Sequence, residues 1–442
     1  VTLFTDPVAQ AIITTPDESA EWKWSMPDFP FLTGVSINYE MGVRVPVMTL
    51  SFDIPYEDGM AMMVEPSPFA VNNLVKVRIG YASGEWTPWA AGFLKAGGDG
   101  LTIDANGFSG TITVQGLAES YGYTVSKDVL RDAGNDPVTM IEKCAYEMGL
   151  KPVISAGASA AMNDYLLVAG RRGKAIRKQM FDFASGLVNL SYWELLKRFS
   201  QKFNITYWVG PELGSKDPGK GIYFYTNDEI SRGEGQETTA RTYGLRRPID
   251  EPNLLYPCLA WTPEGAGFTT WLASRPDAAA HGVTAFGTDS GTGEIVDASV
   301  KPEEQPLAVY GVVADLSPEN LEVQGVKGDS SKGDGTEGQV ISAPVATGGK
   351  GVLKSQAQHR QLQGNAVQRG VITTLGMPDE RPANLCKLVG LGSIYDGPYV
   401  VHKMTHTYAP GSWETTLTVQ RDGRLIRSGD QKETLEGQMK AD

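Results

Sequence analysis

The chain has 442 residues and a formal net charge of -13. That length accommodates about three domains of roughly 150 residues, and 41% hydrophobic with 21% charged residues is a folded, not a disordered, composition. The acidic balance argues against a surface built to neutralise phosphates, and is compatible with solubility through self-repulsion or with a conduit that lets DNA pass without adhesion.

With 51 Gly and 26 Pro, the composition favours a turn-rich, mainly β chain. Residues 1–31 read as an N-terminal arm, in which Trp22 and Trp24 sit among charged residues and prolines and would dock on a neighbouring surface. Residues 32–117 read as a first β domain. Val35, Ile37 and Tyr39 alternate with polar residues, a strand runs from Val43 to Phe52, and Leu74–Tyr81 alternates with Lys76 and Arg78 outward. Strands at Trp89–Leu94 and Gly110–Gly116 follow, and closing such strands into a small barrel would remove their exposed edges.

Residues 118–247 read as an α+β unit. Asp136 caps a helix that starts at Pro137 and stops at Gly149. Ser191 and Glu194 form a capping box for a second helix ending near Phe203, with strands at Asn204–Val209 and Ile222–Tyr225 behind it. Residues 248–427 resume as β, with strands near Leu254–Tyr256 and Gly267–Leu272, a mobile Gly-rich loop at about 315–350, and a helix over about 355–367. Three strands close the domain, Leu385–Val389, Tyr399–Met404 and Thr415–Val419, turned by Asp396-Gly397 and by Ala409-Pro410-Gly411. Residues 428–442 form a charged tail. Self-similarity at a period of about 20–50 residues is absent, so the sequence does not encode a solenoid.

The search for chemistry gives little. Cys144, Cys258 and Cys386 are far apart and read as buried free thiols. His402 and His406 are four apart on a strand and would share a face, but zinc wants three or four such ligands, and sheet-face histidines are the expectation. Gly170–Lys174 and Gly348–Gly351 do not match a phosphate-binding loop and read as basic loops; Arg171, Arg172, Lys174, Arg177 and Lys178 form a local basic cluster. The GxSxG and HExxH patterns are absent. The expectation is no catalytic residue, no metal and no cofactor. Without an apolar run of about 18 residues or a cleavable leader, neither membrane spanning nor Sec export is expected from its own signals.

The C-terminal stretch resembles the second barrel of phage late control protein D and related tail baseplate hub proteins. The residues that carry the resemblance are Asp396, Gly397, Tyr399, Val400, His406, Gly411, Thr415 and Leu417, with Arg421 and Gly423. The approach to them matches at Ala357, Leu362, Ala366, Gly370, Ile372, Gly376 and Pro378. Tyr192–Leu196 is similar to the family's middle helix, and Pro88–Leu94 to part of its first barrel. Trp413 departs from the usual aromatic position, and residues 276–350 match nothing in the family.

The resemblance implies two tube-type β-barrels flanking, and joined by, a mixed α/β domain. It implies a homotrimer, so that three subunits give a ring of six barrels around a channel. The implied partners are a trimeric spike, a tail tube or tube-initiator protein and other baseplate proteins, with DNA or a tape measure passing through unbound. The implied location is the tail baseplate of a virion, assembled in the host cytoplasm. Two alternatives are a hub of a phage-like secretion or injection system and a tail-associated peptidoglycan hydrolase; a third, a carbohydrate-binding module, is suggested by Trp86 and Trp89.

Overall fold

Strand faces follow the alternation of apolar and polar residues: Val35, Ile37 and Tyr39 are buried while Ser36 and Asn38 stay half-exposed. The computed structural model describes residues 6–25, 31–42, 46–64, 66–95, 102–104, 107–116, 136–162, 191–203, 205–210, 221–226, 229–230, 241–244, 255–264, 283–288, 295–300, 339–342, 367–391 and 397–422. In chain order the first strands are β1 (Pro7–Thr14), β2 (Glu21–Ser25), β3 (Leu32–Glu40), β4 (Val47–Pro55), β5 (Leu74–Tyr81), β6 (Ala90–Leu94), β7 (Thr102–Ile103) and β8 (Gly107–Gly116). The middle of the chain adds β9 (Lys151–Ile154), β10 (Ile205–Gly210), β11 (Gly221–Thr226) and β12 (Arg241–Gly244). Then come β13 (Leu255–Glu264), β14 (Val283–Thr288), β15 (Ile295–Val300), β16 (Gln339–Ser342), β17 (Val367–Leu375), β18 (Leu385–Val389), β19 (Gly397–Ala409) and β20 (Ser412–Asp422).

The molecule is mainly β. Among the described residues, one 14-stranded sheet runs β2-β1-β5-β6-β8-β4-β3-β19-β20-β17-β13-β12-β18, with β7 on β8. It is mostly antiparallel; the exceptions are β12 with β13 and β12 with β18. The two β regions of the chain therefore share one sheet, joined where β3 pairs with β19, Glu40 opposite Lys403 and Val35 opposite Tyr408.

This differs from two separate barrels. The strands of residues 32–117 lie in an open run, because β3 bonds to β19 at one end and β5 continues into β1 and β2 at the other. The stretch expected to be an arm thus supplies two strands, and Trp24 of β2 is buried against Phe52 and Phe69. In the C-terminal half, β18 pairs with β19 as well as with β12, so the hydrogen-bonded path β19-β20-β17-β13-β12-β18 returns to its start.

The large sheet has a continuous apolar core that reaches from Ala9 to Val419. A second core lies under the middle of the chain. There the Pro137–Glu147 and Tyr192–Phe203 helices and the helical residues 156–162 accompany a three-stranded sheet, β10-β11-β9. Asp136 accepts from the N–H groups of Val138 and Thr139, as an N-cap does, and Gly149 stops the chain at φ 71°. Ser191 Oγ accepts from Glu194 N–H at 3.2 Å, while the Glu194 carboxylate turns out to Arg198. A smaller apolar cluster of Met41, Trp208, Tyr223, Ile230, Leu385 and Val400 docks this unit on the large sheet, and Gly42 N–H donates to Tyr207 O at 2.7 Å.

Strands β14, β15 and β16 form a separate three-stranded sheet inside residues 276–350. β16 lies in the stretch expected to be a mobile loop, and its parallel pairing with β14 is a long-range contact that Gly-rich composition does not announce. The expected strand at Gly267–Leu272, the basic cluster of residues 171–178, Gly348–Gly351, the tail from 428 and Asp396 all lie outside the described residues. So does the expected helix at 355–367, except that Val367 begins β17.

Candidate functional site

The motif residues collect in and around the strands next to the β3–β19 seam. Gly370 on β17 faces Trp261 of β13 so closely that a Cβ there would lie 2.0 Å from the indole. Trp261 in turn meets the buried Tyr399 ring edge-on, at 5.8 Å. Gly376 repeats the device, since its Cβ would lie 2.0 Å from the ring of Trp413. Gly397 and Gly411 take positive φ, 133° and 81°, at the start of β19 and in the β19–β20 turn. Val400 and Leu417 are core residues, and Pro378 is part of the connector between β17 and β18.

Around Trp413 the two halves of the sheet touch. Tyr81, the last residue of β5, packs its ring against Trp413 at 4.7 Å with the planes tilted by 43°, and donates its hydroxyl to Gly376 O at 3.2 Å. His406 lies 5.8 Å from the same indole and shares a 3.0 Å hydrogen bond with the Thr415 hydroxyl. Thr415 Oγ1 also accepts from Met377 N–H at 3.0 Å. Burial pushes the His406 imidazole down to about 3, so it is neutral in ordinary buffers. Burial, with the Glu85 carboxylate adding to it, pushes the Tyr81 hydroxyl up to about 12.

His402 does not join His406. The register of β19 against β20 slips between Val401 and Lys403, leaving His402 as the extra residue of a bulge. The bulge turns His402 toward Glu40, 3.9 Å away and partly exposed, while His406 stays inside. The same-face expectation holds only for regular pairing, and His402 is itself the bulged residue.

A second polar cluster secures the connector between β17 and β18. Glu380 is buried and accepts from Tyr243 Oη at 2.6 Å and from Asn384 Nδ2 at 2.8 Å. Arg241 reaches Glu380 at 3.3 Å and forms an ion pair with Asp379. Burial works against the charge on Arg241, but Glu380 and Asp379 outweigh it and hold the guanidinium firmly protonated. Burial, then Glu380, pushes the Tyr243 hydroxyl and the Cys386 thiol well above their usual ranges. No local pattern announces this cluster, because Arg241 and Tyr243 sit on a four-residue strand and Glu380 in a Pro-rich turn.

The chemistry available here is cohesive. Burial also pushes the Cys144 and Cys258 thiols up, to about 12 and about 11, so neither is a ready nucleophile. Among the described residues, His, Cys, Asp and Glu form no group of three that could hold a metal ion, and no helix is long and apolar enough to cross a membrane. Trp86 and Trp89 clamp the Arg78 guanidinium between them, at 4.3 Å and 4.4 Å, and so do not present an open aromatic platform.

No family model matches the chain, and no curated protein matches it in sequence. Among solved structures, a 43 kDa tail protein of prophage MuSo2 from Shewanella oneidensis superposes with a TM-score of 0.50 at 10% identity, over 94% of this chain and 96% of that one. The chain has the fold of a phage tail protein. Two further tail proteins align more loosely. One is from Neisseria meningitidis MC58, with a TM-score of 0.48 at 11% identity, over 95% of this chain and 97% of that one. The other is the prophage tail protein gp18 of Listeria monocytogenes EGD-e, with 0.42 at 10% identity, over 92% and 94%. At such identities the likeness is one of fold, reached by different side chains.

Proposed function

We propose that this chain is a structural baseplate hub of a phage tail, acting as a homotrimer and not as an enzyme. The observation that carries the reading is a tail-protein fold extending over 94% of the chain. The motif residues packed around Trp261 and Trp413 are consistent with it. In this reading the β regions of residues 32–117, with β1 and β2 added, and 248–427 act as two tube-type units per subunit. Three subunits then give six units around a channel. One face of the ring meets a sixfold tail tube and the other a trimeric spike, so a symmetry mismatch is resolved by internal duplication, and ring closure avoids open polymerisation. A net charge of -13 suits a lumen that passes DNA without holding it, since phosphates and carboxylates repel. His406, Thr415, Gly370 and Gly376 would serve by fixing the strands that carry the ring faces.

The test is the mass and end-on image of the purified protein, alone and with a candidate spike chain. A threefold particle with a central hole is expected. A particle that stays monomeric in both conditions overturns the reading.

A further inference from the structure

The Tyr56–Met62 helix spends its inner face on its own sheet and leaves a second apolar face bare. Inward, Gly59 lies so close to Phe108 that a Cβ would approach the ring to 2.1 Å, and Met62 packs on the large core. Outward, Tyr56, Met60 and Val64 recur every four residues with Met63 beside them, and all are between 41% and 67% exposed. Ile103, half-exposed, extends the patch, because it pairs with Phe108, whose ring meets that of Tyr56 at 5.9 Å. Contiguous apolar exposure of this kind marks an interaction surface more often than isolated residues do.

The rim of the patch has one sign. Glu57, Asp58 and Asp104 are exposed beside it, and the described segments 46–64, 102–104 and 107–116 contain no Lys or Arg. A copy of this chain docking through the same face would bring carboxylate against carboxylate, and an anionic membrane would be repelled likewise. We propose that the Tyr56–Val64 segment, with Ile103, is a docking surface for a partner protein that offers an apolar socket rimmed by lysine or arginine. The proposal stands on this surface alone and does not depend on the hub reading.

The test uses the full chain and two fluorescent amphipathic helical peptides, one of Leu and Lys and its twin of Leu and Glu. Fluorescence anisotropy should show binding of the Leu/Lys peptide and little of the twin. The double variant Met60→Ser/Met63→Ser, which alters only exposed side chains, should weaken the Leu/Lys peptide tenfold or more. The double variant Glu57→Lys/Asp58→Lys should shift preference toward the Leu/Glu twin. Equal binding of both peptides, binding of neither, Leu/Lys affinity unmoved by the Met variant, or preference unmoved by the charge variant would each overturn the proposal. So would an oligomer of the wild-type chain that dissociates in the Met variant, since the occupant would then be a second copy.

Discussion

In the C-terminal half of the large sheet, polar groups hold polar groups. Glu380 gathers Tyr243, Asn384 and the partly exposed Arg241, and His406 shares its bond with Thr415, with both Glu380 and His406 inside the protein. The N-terminal half buries no carboxylate, guanidinium or imidazole among its described residues. Its centre is Trp24, Phe52 and Phe69, ring to ring at 5.2 to 6.0 Å. Apolar packing tolerates substitution that conserves volume, whereas a buried polar cluster works only when every member is answered. Strands of one sheet are therefore held by two kinds of cohesion, a forgiving one and an exacting one.

The largest expected effect tests the exacting side. Glu380→Ala leaves the Tyr243 hydroxyl, the Asn384 amide and Arg241 without their shared acceptor. We expect it to cost about 3–5 kcal/mol in urea denaturation. The volume-conserving Leu50→Met, in the core of β4, should cost less than about 1.5 kcal/mol. Similar losses from both would erase the contrast.

The pH dependence of His406 sharpens it. Its imidazole is held at about 3 when folded, against an ordinary value of 6.5. Between those values the unfolded chain binds a proton that the folded chain refuses. Stability should therefore fall as pH falls from 6.5 toward 3, by up to about 1.4 kcal/mol per pH unit. Above pH 6.5 the group contributes no slope. His406→Gln should flatten the curve between pH 6.5 and 5; an unchanged slope there would mean that the buried imidazole is not its source.

The smallest effect belongs to the N-terminal surface. Arg78 lies between Trp86 and Trp89 and donates to Gln10 Oε1 through Nε, at 2.8 Å. Arg78→Ala should cost about 0.5–1 kcal/mol, read by thermal unfolding, because the stack is partly solvated. A loss as large as that of Glu380→Ala would show that the N-terminal half also hangs on a polar anchor.

Local chemistry was readable in the sequence where it is self-contained. The alternation in β3 and β5, the Asp136 cap and the Ala409–Gly411 turn depend on neighbours a few residues away. What was not readable depends on partners far along the chain. The pairing of Glu40 with Lys403 leaves no local trace, and neither does the convergence of Tyr81 on Trp413. β2 looks like part of an arm because Glu21 and Lys23 flank its tryptophans, a charge pattern that suits the solvent face of a sheet edge as well as it suits an arm. The His402 bulge was invisible for a third reason: one extra residue in a strand changes which face follows without changing composition.

The seam between β3 and β19 also sets an order of events. During synthesis β3 leaves the ribosome hundreds of residues before the strand that will bond to its outer edge. Until then that edge stays open, while β4 already occupies the other side. Closing so long a loop is slow, and an unpaired strand edge invites pairing with other nascent chains on the same message. The completed sheet therefore depends on a waiting period in which the nascent N-terminal half must stay soluble without its final neighbour.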